Sequence, residues 1–395
     1  MKDKQIEKLI KAEEQRQKKV INLIPSENYV SKDVLLAIGS IFDNKYAEGY
    51  PRARYYGGQT NTDKLEELCQ ERALKLFKLP KGPPGGWAVN VQPLSGSPAN
   101  LAVYVALAPV GSKIMGLPLS SGGHLTHGQK VSFTGKVWTQ VPIVLDPKTE
   151  LVDYKKMKED AAREKPAVIV VGFTAYPRVV DFRKCREAAD ACGAYLMVDM
   201  SHFAGLVAGG AYPSPFEYAD VVTSTTHKTL RGPRGALIFS KRDERGIDKK
   251  IDRAIFPGLQ GGPHMGQIAG IAVALKEDAS PAFKKYAKQV VKNARALAAE
   301  LAKLGWRIIS GGTDSHLVLM DTWMGGKGIS GKEAEALLEK NGIICNKNTI
   351  PGETRSPFDP SGIRLGTPAE TTRGRKEKDF ISIARRIDKI LRGKK

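Results

Sequence analysis

The sequence predicts an α/β protein, with a mostly parallel seven-stranded sheet between helices in a large domain and a smaller C-terminal α/β domain after it. Seven short apolar or β-branched runs, at 88–91, 113–117, 137–144, 167–172, 194–199, 220–224 and 236–240, alternate with helical periodicity, the rhythm of βα units. One run, Ala194-Tyr195-Leu196-Met197-Val198, ends at Asp199, and ligands in such sheets sit beyond the strands' carboxyl ends. After Gly261-Gly262-Pro263 the pattern changes. Long helical stretches to about Leu304 lead into strand-like 307–309 and 316–320, then a helical 332–340.

In chain order, Lys2 to Lys19 reads as a charged helix with a short apolar stripe at Ile6, Leu9 and Ile10, an arm that grips another surface. Residues 1–40 are expected to form this helical arm, 41–275 the large domain and 276–395 the small one. Lys81 to Gly86 is a turn-rich loop within the large domain, and the sequence holds no internal repeat.

Composition sets the limits. At 395 residues the chain can bury a large core. It has no apolar run long enough to span a membrane, and its charged start lacks the apolar centre of a signal peptide, so a cytoplasmic protein is expected. Cys69, Cys185, Cys192 and Cys345 are scattered and read as reduced thiols. The balance of 62 basic to 42 acidic side chains, +20, suits a solvated face, attraction to polyanions such as RNA, or steering of an acidic substrate. From Thr371 to Lys395 the excess is ten bases over three acids, in an amphipathic helix with a basic tail. No RNA-recognition motif accompanies it, so nucleic acid is expected as non-specific secondary binding at most.

The chemistry centres on Lys228. The peptide from Thr225 to Gly235 surrounds one amine with hydroxyls, His227, Arg231, Arg234 and glycines. An amine that forms an imine with a cofactor aldehyde, and a carboxylate such as Asp199 that keeps a pyridine nitrogen protonated, are what pyridoxal phosphate most needs from a protein. Leu94-Ser95-Gly96-Ser97-Pro98-Ala99-Asn100 joins a strand to a helix, and freed backbone N–H groups there can hold a phosphate. Ser95 could equally be an ordinary helix cap. All six histidines sit in short polar segments. His124 and His202 are candidates for stacking on a ring and for donating to a phenolate, whereas His316 reads as a satisfied histidine at a strand start. No Cys/His spacing suggests a metal.

With these residues laid out, the chain resembles the serine hydroxymethyltransferase family through most of its length. The resemblance rests on Asn22-Leu23-Ile24-Pro25-Ser26-Glu27-Asn28, on Asn44 to Pro51 followed by Arg54-Tyr55-Tyr56-Gly57-Gly58, and on Asn346-Lys347-Asn348 to Gly362-Ile363-Arg364-Leu365-Gly366-Thr367-Pro368. It implies the pyridoxal-phosphate-dependent transferase fold type I and transfer of the hydroxymethyl carbon of L-serine to tetrahydrofolate, giving glycine and methylenetetrahydrofolate. Lys228 would carry pyridoxal 5'-phosphate, Asp199 would pair with the ring nitrogen, and His124 would stack on the ring. Thr174 and His202 would bond the phenolic oxygen, Ser95, Gly96 and Ser97 would take the phosphate, and Thr225 and His227 would complete the cofactor site. Arg364 would fork onto the substrate carboxylate, with Ser26 completing that site. Glu48 would be the general acid/base, tuned by Tyr55 and Tyr56. Tyr46 and the Gly261-Gly262 turn are implied to come from a neighbouring subunit of a homodimer, or of a tetramer built from it. Folate would lie against Leu117, Gly123 and Leu125, with Asn346 near its pterin.

Gln59-Thr60-Asn61, Pro177-Arg178 and Glu370 depart from the family pattern, and bear on packing and substrate preference. Two other readings share part of this chemistry: a folate-independent aldolase for threonine-like β-hydroxy amino acids, and a basic RNA-binding protein with residual activity.

Overall fold

The computed structural model describes residues 1–82 and 85–393. Pro83 and Pro84 of the turn-rich loop, and Lys394 and Lys395 of the basic tail, lie outside the described residues. The central sheet has seven strands: β1 Trp87–Asn90, β2 Lys113–Gly116, β3 Thr139–Pro142, β4 Val168–Gly172, β5 Tyr195–Asp199, β6 Val221–Thr225 and β7 Ala236–Lys241. Their spatial order is β1-β7-β6-β5-β4-β2-β3. From β6 to β3 every neighbour is parallel, and β7 runs antiparallel to both β6 and β1. The run expected at 137–144 is shorter, because Phe133–Val137 is helical and the strand starts only at Thr139.

Alternate residues of each strand face opposite helical layers. Met115, Ile169, Val171, Leu196, Val198 and Phe239 pack on one side, while Ile114, Val168, Val170, Met197, Val221 and Ile238 pack on the other. Burial on both faces explains the near-continuous apolar runs. The reversal into β7 fixes the key loop: Thr225 pairs with Ala236, so residues 226–235 form a short connection at the carboxyl end of β6, beside the end of β5.

The smaller sheet is antiparallel, from β8 Arg307–Ile308, β9 Leu317–Asp321, β10 Asn346–Asn348 and β11 Gly362–Gly366, in the order β8-β9-β11-β10. The helix Pro281–Lys303 joins the two cores. Phe283, Ala287 and Val290 lie in the large one, and Ala294, Leu297 and Leu301 in the small one. Ile21–Asn22 pairs with Ile343–Ile344, and Ile21 and Leu23 belong to the small-domain core. The helix Lys4–Lys19 buries none of its side chains within one chain. It is tethered at its end, where Arg373 donates to the carbonyls of Gln17 and Val20. Among the described residues no helix is long and apolar enough to cross a membrane, and all four cysteines are free.

Glu370, one of the departures from the family pattern, is fully buried. Its Oε1 accepts from Asn22 N at 2.9 Å and Arg373 Nη1 at 3.0 Å, and its Oε2 accepts from Arg375 Nε at 2.6 Å. A carboxylate at this position therefore ties the N-terminal strand to the small domain. Glu370→Ala should destabilise the fold by about 3 kcal/mol, because it leaves a strand N–H and two guanidiniums unmatched. Denaturant unfolding measures this, and an unchanged midpoint would contradict it.

Candidate active site

Lys228 projects from the 226–235 loop, whose shape is set by Thr226 Oγ1 donating to Pro233 O at 2.6 Å and Gly232 N donating to Thr226 O at 2.7 Å. Asn28 Nδ2 donates to Lys228 O at 3.0 Å, and Thr229 Oγ1 donates to His202 O at 3.0 Å. The backbone is thus held on both sides while the amine makes no hydrogen bond among the described residues. Burial lowers the Lys228 ammonium to about 8, reinforced by Arg364 and Arg234 and opposed by Asp199.

Asp199, buried at the end of β5, is held by three donors. Asn100 Nδ2 lies 2.8 Å and His127 Nε2 3.3 Å from Oδ2, and Ser201 N lies 3.0 Å from Oδ1. Burial pushes this carboxyl up, but the His127 hydrogen bond and the electrostatic influence of His127, His124 and Lys228 outweigh it and hold the group well below the usual range. Asn100 is itself fixed, since Thr223 Oγ1 donates to its Oδ1 at 2.8 Å. Asn100, His127 and Ser201 were not singled out from the sequence. Each does lie inside or beside a segment that was, with His127 three residues after His124.

His124 Nδ1 accepts from Thr126 N at 3.2 Å and meets Thr126 Oγ1 at 2.7 Å. Burial lowers it to about 4, with His127 and Lys228 adding to the shift and Asp199 opposing it, so a neutral ring faces the site. His124, His127 and Asp199 bring ligand atoms within 4.8 Å of one another, a trio that also suits a divalent ion and that sequence spacing did not reveal. His202 and His316 are both buried, with His202 Nδ1 3.2 Å from His316 Nε2. Burial lowers His227 to about 3, with Lys228 and Arg234 adding to it. It lines a cavity of about 390 Å³ with Ser26, Asn28 and Arg234.

Ser95 stands at the N-cap of the helix Gly96–Leu107 but makes no capping hydrogen bond, so its hydroxyl is not committed to the helix. A β-carbon on Gly96 would lie 2.7 Å from Thr225 Cγ2, which places the helix start against Thr225. The Thr225 hydroxyl is buried with no partner, and Ser97 is exposed. Uncommitted hydroxyls at a helix N-terminus suit an anion.

Three of the expected residues already have partners or packing within the chain. The Thr174 hydroxyl, expected on a phenolic oxygen, donates to Gly123 O at 2.9 Å, so its proton is already engaged. Leu117, expected on a folate wall, is 2% exposed and packs in the large core. What it presents beside Gly123 is its carbonyl, 1.8 Å from where a β-carbon on Gly123 would lie. Leu125, by contrast, is 44% exposed. Asn346, expected near a pterin, accepts from Arg364 Nε through Oδ1 at 3.0 Å. Arg364 Nη1 also donates to the backbone carbonyl of Thr174 at 2.6 Å, so one side chain and one main-chain carbonyl aim this guanidinium, and Nη2 makes no hydrogen bond among the described residues. Burial lowers Arg364 to about 10.

A second cluster lies elsewhere on the same chain. Tyr46 OH donates to Glu48 Oε1 at 3.3 Å and its ring meets Tyr56 edge-on at 5.3 Å. β-Carbons on Gly261 and Gly262 would lie 3.1 Å from Glu48 Oε1 and 3.4 Å from Tyr46 Cζ. Tyr55 packs edge-on against Phe256. Tyr46, Tyr55 and Tyr56 are 57%, 73% and 50% exposed. Among the described residues no hydrogen bond or ring contact joins this cluster to Lys228, Asp199 or Arg364. Behind it, buried Arg54 binds Asp63 at 2.9 Å, Glu66 at 2.6 Å and the carbonyls of Ala47 and Gly49. Gln59, another departure, donates to Tyr46 O at 2.9 Å, so it holds the segment that carries Glu48.

A neutralisable lysine, a low carboxylate, neutral imidazoles and an aimed arginine at the carboxyl ends of a parallel sheet define an enzyme that handles amino acids through an amine. The serine hydroxymethyltransferase family model matches residues 1–387. A relative from Schizosaccharomyces pombe, named probable serine hydroxymethyltransferase, cytosolic, is 49% identical over 405 residues, covering 98% of this chain and 85% of its own length. The chain belongs to the serine hydroxymethyltransferase family, and the mostly parallel sheet between helices is consistent with fold type I.

Proposed function

We propose that this enzyme reversibly transfers the hydroxymethyl carbon of L-serine to tetrahydrofolate, yielding glycine, methylenetetrahydrofolate and water, with pyridoxal 5'-phosphate at Lys228, and that it works in the cytoplasm as a homodimer. The observation that carries the reading is the juxtaposition of Lys228, whose buried ammonium is lowered to about 8, with Asp199, held as an anion by three donors. The donor set fits the cofactor: an amine for its aldehyde, an anion for its ring nitrogen, the neutral His124 ring for its face, and uncommitted hydroxyls at a helix start for its phosphate. When bound, pyridoxal phosphate supplies a ring that accepts electron density from the amino acid's α-carbon.

The chain's own groups do the rest. Arg364, aimed by Asn346 and Thr174, receives the substrate carboxylate. Asp199, held as an anion, would keep the cofactor's ring nitrogen protonated. Glu48 exchanges a proton with the serine hydroxyl. Because Glu48, Tyr46, Tyr56 and Gly261-Gly262 cluster on an exposed surface without contact to Lys228, we assign this surface to the active site of a second copy.

Serine cleavage should need tetrahydrofolate, and Glu48→Gln should lose it while still binding glycine. Mixing Glu48→Gln with Lys228→Ala should restore turnover, since each chain supplies what the other lacks in a mixed dimer. Folate-independent cleavage would favour an aldolase, and mixtures that stay inactive would place Glu48 in its own chain's site.

A further inference from the structure

His316 stands immediately before β9, with its side chain fully buried. It is not the satisfied core histidine suggested by its sequence position, because its Nδ1 has no hydrogen-bond partner. Its Nε2 lies 3.2 Å from His202 Nδ1, the ring planes are 26° apart, and the centroids are 5.4 Å apart. Nitrogens this close with centroids this far apart place the rings edge to edge, so the contact is a hydrogen bond and not a face-to-face stack. Each ring is fixed by its backbone: His202 O accepts from Thr229, next to Lys228, and His316 O accepts from Thr367 N at 3.1 Å.

Burial and the nearby Lys228 and Arg364 cations keep both imidazoles neutral, so one proton lies between them and two arrangements exist. If His202 Nδ1–H donates, His316 must carry its own proton on Nδ1, leaving a buried N–H with no acceptor, a rare and costly defect. If His316 Nε2–H donates, His316 Nδ1 is an unprotonated nitrogen and His202 carries its proton on Nε2. That nitrogen makes no hydrogen bond among the described residues, so its proton is available to a bound ligand.

We propose that His316 is a positioning residue for His202, donating from Nε2 and fixing the tautomer in which His202 Nε2–H is offered to an anionic oxygen of the bound ligand. The catalytic part of this inference rests on the proposed serine-handling site. The pair links the large and small domains, so the donor offered beside Lys228 depends on how the small domain sits.

Histidine-selective ¹⁵N NMR on the full-length protein, with and without pyridoxal phosphate, reads the tautomers, with His202 assigned by loss of its signal in His202→Asn. The expected result is His202 protonated at Nε2 and His316 protonated at Nε2, and a His202 proton on Nδ1 would overturn the proposal. His316→Leu removes the donor while filling the space, and His316→Gln returns an amide N–H at similar reach. Serine kcat/KM should fall about tenfold in the leucine variant, as for other orienting partners, and largely recover in the glutamine variant, with similar thermal unfolding in both. Equal impairment of the two, or of neither, counts against the role. A wild-type protein without folate-dependent turnover would sink the reaction assignment, and the tautomer measurement would still decide His316.

Discussion

Lys228→Ala loses serine turnover by at least about 10³-fold while the protein stays folded, because the substitution removes a buried amine that feels the charges of Asp199 and Arg364 and little core volume. Borohydride reduction of the cofactor-loaded wild type, followed by peptide mapping, labels Lys228. A label on another lysine refutes the assignment. The fold is kept because no hydrogen bond or ion pair of this amine is broken among the described residues. Stability also carries a signature in the cofactor-free protein. The Lys228 ammonium is lowered from 10.5 to about 8 by burial, so below about pH 8 the fold bears the full penalty of a buried charge. Between about 8 and 10.5 the unfolded chain binds more protons than the folded one, and wild-type stability rises with pH in that window. The alanine variant lacks this rise, so its stability advantage at neutral pH should shrink as pH climbs. Parallel denaturation series at pH 7 and pH 10 test it, and a constant difference would mean that the amine is not buried.

The strands were legible because burial on both faces writes continuous apolar runs, and Asp199 was legible because a carboxylate closes one of them. The loop at Lys228 was legible from its local chemistry. The reversed direction of β7 was not, because nothing in Ala236–Lys241 records whether the short loop before it returns up or down the sheet. The partners of Asp199 also escaped notice. Asn100 and His127 come from 99 and 72 residues away, and only the parallel order of the strands brings them together. The resemblance implies ligand contacts for Thr174 and Asn346, and it does not record that within the chain the Thr174 hydroxyl meets the Gly123 carbonyl and the Asn346 oxygen meets Arg364. Glu370, a departure by pattern, is explained only by the arginines that fold beside it.

Asp199→Asn should reduce serine turnover by roughly 10²-fold or more, since it removes the fixed negative charge that keeps a proton on the ring nitrogen facing it. The substitution keeps the size but does not keep the hydrogen bonds. Asp199 accepts from Asn100, His127 and Ser201, and an amide puts an N–H₂ group where an oxygen met one or two of these donors. We therefore expect an additional stability loss of about 1–3 kcal/mol from donors left facing a donor. The two effects separate by measurement. Rates taken on protein shown to be folded report the electrostatic part, and denaturant midpoints report the packing part. The double variant Asn100→Asp with Asp199→Asn restores an acceptor opposite the new amide and should recover stability without restoring rate, because the anion then sits at the wrong place. Near-wild-type turnover in Asp199→Asn would mean that a different group faces the ring nitrogen, and the site would have to be rebuilt around it.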